Sequence, residues 1–98
     1  MLKIGHTFSE VGPNDVVYFS ASWCGPCRQL RPQYARASVL DADRNYYLFD
    51  VDELSQTEDG QAALEQYGIQ SIPRIFVNDT EILARSAQDI VTEVTESA

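Results

Sequence analysis

The sequence of 98 residues is poor in basic side chains, in cysteine and in long apolar runs, and each shortage removes a class of function. Lysine and arginine total seven against fifteen aspartates and glutamates, a formal charge of −8. Nucleic-acid phosphates and anionic lipids are held by clustered Lys and Arg, so both partners are disfavoured. The acidity reads first as solubility in a crowded cytosol. The main apolar run, Val16–Phe19, is far shorter than the roughly 20 residues that a membrane span needs. Met1–His6 lacks the charged start and long apolar stretch of a signal peptide. A soluble, cytoplasmic protein is therefore expected, acting as a monomer. Two cysteines are too few for a secreted disulfide scaffold of this size, which usually carries four or more. Five glycines and four prolines form no linker, and neither a repeat nor a low-complexity tract is present, so residues 1–98 are read as one domain.

What is there reads as alternating strands and helices. Leu2–Ile4 suits a short opening strand, followed by a loop or helical turn around Thr7–Gly12. After the turn signal Pro13-Asn14-Asp15, the β-branched and aromatic run Val16–Phe19 suits a strand buried on both faces. Cys27, Leu30, Tyr34 and Ala37 then recur at helical spacing, with Arg28, Arg31 and Arg36 off the stripe on a solvated face. Pro32 predicts a kink in that helix. Asp41–Asn45 is a polar loop and Tyr46–Val51 a second β-prone run. Ser55-x-x-Glu58 suggests a capping box for a helix that buries Ala63, Leu64 and Tyr67 and stops at Gly68. Arg74–Val77 and Glu81–Arg85 flank a three-residue loop, Asn78-Asp79-Thr80, as a hairpin. Ser86 caps a last helix with Ala87, Ile90, Val91 and Val94 inward. Strand–helix–strand followed by helix, hairpin and helix demands an α/β sandwich whose central sheet is mixed and covered by helices on both faces.

The two cysteines, Cys24 and Cys27, sit two residues apart in Ser22-Trp23-Cys24-Gly25-Pro26-Cys27, directly after a buried strand and at the opening of a helix. Cys24 at the helix start lies near unpaired backbone N–H groups and the positive end of the helix dipole. Both favour the thiolate, the form that attacks a disulfide. Cys27, one turn on, is placed to attack the Cys24 sulfur and release a mixed disulfide. Pro26 suits a first helical turn, and Gly25 permits a tight bend between the sulfurs. Trp23, amphipathic and beside the nucleophile, is read as part of a docking surface. Arg28 adds local positive charge if it turns toward the sulfurs.

Trp-Cys-Gly-Pro-Cys resembles the active-site motif of the thioredoxin family, and the likeness extends in order from about Val16 to Ala87. Pro32, five residues after Cys27, coincides with the proline of the family's active-site helix. Tyr67-Gly68-Ile69-Gln70-Ser71-Ile72-Pro73 is similar to the family segment that ends in a cis-proline beside the cysteines. The resemblance implies a three-layer α/β/α thioredoxin-like sandwich with a mixed four- to five-stranded sheet. It implies a dithiol–disulfide oxidoreductase with Cys24 and Cys27 catalytic, and with Trp23, Gly25, Pro26, Ile72 and Pro73 binding the substrate chain. It further implies no bound cofactor beyond a redox-active Cys24–Cys27 disulfide. The implied partners are disulfide-containing target proteins and, as electron donor, the NADPH-dependent flavoprotein thioredoxin reductase.

The departures from the family pattern are informative. The family's buried Asp, five residues before the motif tryptophan, is Tyr18 here, and its partner lysine falls near Leu48. A carboxylate base for Cys27 is thereby put in doubt, and Tyr18 is read chiefly as a packing residue with a proton-relay role as the alternative. Ser86 replaces a glycine common near the substrate groove, and Arg74 after Pro73 is unusual. Arg74 is read either as steadying the Cys24 thiolate or an acidic target, or as a solvated edge-strand residue.

Other readings are weaker. A static disulfide closing so short a loop stabilises little and is kept reduced in the cytosol. Zinc needs about four ligands, and beyond the cysteines the chain has only His6, read as a surface residue. Tyr34, Tyr46, Tyr47, Phe49 and Tyr67 are read as core, and Gly60 and Gly68 make no phosphate-binding fingerprint. A glutaredoxin-type enzyme recycled by glutathione, and a non-catalytic module that docks partners in its groove, remain as alternatives.

Overall fold

In a computed structural model that describes residues 1–98, five strands form one mixed sheet in the order β1-β3-β2-β4-β5. The strands are β1 (Leu2–Ile4), β2 (Val16–Ser20), β3 (Tyr46–Asp50), β4 (Arg74–Val77) and β5 (Thr80–Ile82). β1, β3 and β2 run parallel, whereas β4 and β5 run antiparallel to their neighbours. β2 and β3 are central because Val16–Phe19 and Tyr46–Phe49 carry apolar bodies on both faces, and all eight residues are buried.

The pleat divides these side chains between two cores. Val16, Tyr18, Tyr46, Leu48, Ile75 and Val77 point to one face, where α1 (Gly25–Leu40) and α4 (Ala87–Ser97) cover them. Leu30, Tyr34 and Ala37 of α1 meet Ala87, Ile90 and Val94 of α4 in that layer, as the helical stripes predicted. Val17, Phe19, Tyr47, Phe49 and Phe76 point to the other face, under Leu54 of α2 (Val51–Leu54), Leu64 of α3 (Glu58–Gln66) and Phe8 of a short 3-10 turn. That second core is an aromatic stack in which Phe19 lies 5.5 Å from Tyr67 and 6.0 Å from Phe76 between ring centres. The three-layer α/β/α arrangement is the expected one.

Four local expectations are corrected. β3 ends at Asp50, not Val51, because the Asp50 carboxylate accepts the Asp52 and Glu53 amides and starts α2, an element absent from the sequence reading. α3 is capped by Thr57, whose hydroxyl accepts the Gly60 amide at 3.0 Å, and not by Ser55, whose hydroxyl donates to the Asp52 carbonyl. The hairpin loop has two residues: Asn78 (φ 47°) and Asp79 (φ 67°) both accept the left-handed conformation, so Val77 already pairs with Thr80. β5 stops at Ile82, because the Leu83 amide is taken by the Glu93 carboxylate of α4 at 3.0 Å. Pro32 lies inside α1 without ending it.

Candidate active site

β2 delivers the chain through Ala21-Ser22-Trp23 to Cys24, the residue that caps α1 with extended backbone (φ −86°, ψ 112°). The Cys27 amide donates to Cys24 Sγ at 3.2 Å, so one of the unpaired donors of the first turn is spent on that sulfur. The two cysteines are joined as a disulfide with their Cα atoms 5.2 Å apart. Pro26 occupies the first turn, where its missing N–H is harmless, and Gly25 stands in open space.

The pair lies deep, with Cys24 5% and Cys27 2% exposed. Access is by two clefts, one on each side. Cys24 lines a cleft of about 660 Å³ whose walls include Trp23, Val51, Asp52, Ile69 and Ile72, with Gly25 and Pro26 at its edge. Cys27 lines a second cleft of about 480 Å³ shared with Ser20, Arg28, Arg31, Asp50 and Glu53. The Ile72–Pro73 peptide is cis, as the resemblance implied, and the Ile72 carbonyl oxygen lies 3.9 Å from Cys24 Sγ. Pro73 lines a neighbouring depression with Pro26, Gln29, Leu30 and Arg85. The structure thus gathers Trp23, Cys24, Gly25, Pro26 and Ile72 along one cleft, with Cys27 joined to Cys24 behind it and Pro73 next to Ile72 in the neighbouring depression.

Trp23 stands 65% exposed on the cleft wall, and its indole N–H donates to the Asp52 carboxylate at 2.9 Å. Asp52 was not singled out from the sequence, where it is one of three acidic residues in Asp50-Val51-Asp52-Glu53. The turn that makes α2 is what carries it to the tryptophan. Tyr18 is fully buried, stacks on Tyr34 at 4.7 Å and donates its hydroxyl to the Cys27 carbonyl at 2.7 Å. Burial pushes its phenol up to about 12, so it stays protonated near neutrality, with its proton directed at the Cys27 carbonyl. Arg74 does not steady Cys24. Its guanidinium is clamped by both oxygens of Glu81, at 3.2 and 2.8 Å, and donates to the Gly68 carbonyl. Hydrogen bonding to Arg74 in turn holds the Glu81 carboxyl below its usual range. His6 is a surface residue paired with Glu53 at 2.8 Å, and Ser86 caps α4 by accepting the Asp89 amide. No group of three or more His, Cys, Asp or Glu side chains is arranged to hold a metal ion.

The family model described as Thioredoxin matches residues 8–96. The chain belongs to the thioredoxin family. It is similar to thioredoxin H5 of Arabidopsis thaliana, at 30% identity over 82 residues, covering 80% of this chain and 64% of that protein. It is also 32% identical over 71 residues to an H-type thioredoxin of Oryza sativa subsp. indica, covering 71% of this chain and 53% of the relative. The chain therefore spans between about half and two thirds of the length of these relatives. Among solved structures, the oxidised thioredoxin of Plasmodium falciparum superposes with a TM-score of 0.69 at 25% identity, covering 100% of this chain and 99% of that one.

Proposed function

We propose that this thioredoxin family member is a dithiol–disulfide oxidoreductase that reduces disulfides in proteins. In the reduced chain the Cys24 thiolate attacks one sulfur of a client disulfide, forming a Cys24–client bond while the other client sulfur leaves and takes up a proton. Cys27 then gives up its proton and attacks Cys24 Sγ. The Cys24–client bond breaks, the second client thiol is released, and the Cys24–Cys27 disulfide remains. The reading is carried by the placement of Cys24 Sγ: it caps a helix, accepts the Cys27 amide at 3.2 Å and faces a cleft beside the Ile72 carbonyl. A helix N-terminus with a directed N–H stabilises the attacking thiolate and the leaving thiolate alike.

In this reading Trp23, Gly25, Pro26, Ile72 and Pro73 hold the client. The client backbone pairs with Ile72, and its side chains lie along the apolar wall of Val51 and Ile69. The dithiol itself carries the two electrons, so no bound cofactor is required. Two electrons from NADPH, delivered by a flavin-containing thioredoxin reductase, restore the dithiol. A monomer acting in the cytoplasm belongs to the same reading; no helix of the chain is long and apolar enough to cross a membrane.

The test is reduction of a model protein disulfide by the purified chain with NADPH and a thioredoxin reductase, beside a parallel reaction recycled by glutathione. Turnover with the reductase, its loss in Cys24→Ser, and a trapped mixed disulfide in Cys27→Ser are the expected results. Turnover with glutathione alone transfers the protein to the glutaredoxin type. Failure to reduce any disulfide leaves the groove as a docking surface only.

A further inference from the structure

Cys27 is 2% exposed, yet in the resolving step it must lose a proton before it attacks. A buried thiol cannot hand that proton to bulk water without a route, and Cys27 has one: the 480 Å³ cleft that it lines on the side away from the client. A space of this size holds several water molecules when polar groups line it. Its polar wall consists of Ser20, Ser22, Arg28, Arg31, Asp50 and Glu53.

These groups are not equivalent. Glu53 is held at the surface by His6 Nδ1 at 2.8 Å. Ser20 donates to the Phe49 carbonyl at 3.3 Å. Arg28 and Arg31, on α1, can only favour negative charge in the cleft. Tyr18 commits its proton to the Cys27 carbonyl. Asp50, half-buried at the end of β3, accepts the Asp52 and Glu53 amides on Oδ1 at 2.8 and 3.3 Å and makes no protein hydrogen bond through Oδ2. Backbone pairing with Ser20 ties it to the strand that leads into the cysteine loop.

We propose that Asp50 is the proton acceptor for Cys27, receiving the proton through water in this cleft. The assignment rests on the oxidoreductase reading above. The Cys27 thiol proton passes through water to Asp50 Oδ2, and the resulting thiolate forms a bond to Cys24 Sγ as the Cys24–client bond breaks. The departing client thiolate takes up a proton, and Asp50 returns its own to solvent through the mouth of the cleft.

The reduced full-length chain is mixed with an aromatic disulfide whose thiolate product is coloured, so that two successive bursts report attack by Cys24 and resolution by Cys27. Asp50→Asn keeps an oxygen to cap α2. It is expected to leave the first burst unchanged and to slow the second roughly tenfold to a hundredfold near neutral pH, at and below the lower end of what a positioned base contributes. The deficit closes at pH well above the ordinary thiol range of about 8.5, where Cys27 ionises unaided. Asp50→Ser, which also retains a capping oxygen, must behave as Asp50→Asn does. A second burst that is not slowed, a slowing that does not depend on pH, or a larger loss in Glu53→Gln overturns the assignment. A wild-type chain with no second burst refutes the oxidoreductase reading itself, whereas a normal wild type beside an unslowed Asp50→Asn refutes only the role of Asp50.

Discussion

The Tyr18 hydroxyl donates a 2.7 Å hydrogen bond to the main-chain carbonyl of Cys27, fastening the buried strand β2 to the first turn of α1 beneath the disulfide. Two contributions meet in this side chain, the hydrogen bond and the ring stacked on Tyr34 at 4.7 Å. Tyr18→Phe separates them. It keeps the ring, leaves a buried carbonyl short of a donor, and is expected to cost about 1 kcal/mol in urea unfolding. A loss above about 3 kcal/mol, the size expected for removing the ring itself, contradicts that division.

Replacing Tyr18 by aspartate removes the ring and places a carboxylate at a site with no exposure to water. Stability is expected to fall by roughly 3–5 kcal/mol, the scale of a large-to-small core substitution, and further if the carboxylate stays charged. Turnover near neutral pH is expected to rise, because a second acceptor then lies close to Cys27. Stopped-flow resolution rates check this second half, and an unchanged rate rejects it.

All five tyrosines ionise above the usual pH of 10, desolvation by burial being the first cause in each. Tyr18 and Tyr67 are both pushed up to about 12. The sign follows directly: above pH 10 the unfolded chain has released phenolic protons that the folded chain still holds. Stability is therefore fully present below pH 10 and falls as pH rises toward 12, by roughly 1.4 kcal/mol per pH unit for each tyrosine still protonated only in the fold. Tyrosinate absorbance is expected to lag behind that of free tyrosine and then rise together with the loss of far-ultraviolet helix signal. An absorbance rise centred at pH 10 with the fold intact contradicts the burial of these rings.

The start of α3 offers a sharper test, since two residues compete for it. Thr57 accepts the Gly60 amide, whereas the Ser55 hydroxyl turns back to the Asp52 carbonyl. Thr57→Ala is expected to cost about 1 kcal/mol and Ser55→Ala distinctly less, by urea unfolding of both variants. The reverse order restores the Ser55-x-x-Glu58 capping box.

That pair of residues also marks what the sequence could and could not disclose. Strands β2 and β3 were legible because Val16–Phe19 and Tyr46–Phe49 have no polar face to mislead, and α1 because Cys27, Leu30, Tyr34 and Ala37 keep one stripe. The site was legible because its chemistry is written in adjacent letters, Trp23 to Cys27. Choices between neighbouring polar residues were not. Ser55 and Thr57 are equivalent in pattern, and only the close approach of Gly60 to the Leu54 main chain, which a β-carbon would overlap, sets the register. Asp50 and Asp52 looked alike in an acidic cluster, but the turn into α2 sends them to different clefts, Asp50 toward Cys27 and Asp52 toward Trp23. Arg74 was ambiguous for the same reason, since its partner Glu81 lies across a hairpin whose loop is one residue shorter than its sequence implied.

The link between Trp23 and Asp52 predicts how the client is held. A 65% exposed indole has little packing to fix it, so the 2.9 Å hydrogen bond to Asp52 is what keeps the ring against the cleft wall. Asp52→Ala releases the ring without touching either sulfur. For a protein disulfide, KM is expected to rise by roughly two- to tenfold, the equivalent of about 0.5–1.5 kcal/mol for one hydrogen bond, with kcat nearly unchanged. Trp23→Phe removes the same donor and is expected to give a rise of similar size. Because both variants break one bond, the double variant is expected to cost no more than the larger single one, and the cycle returns that bond's coupling energy. Additive losses would mean that Trp23 and Asp52 contact the client independently, and the indole would then owe its position on the cleft wall to something other than the carboxylate.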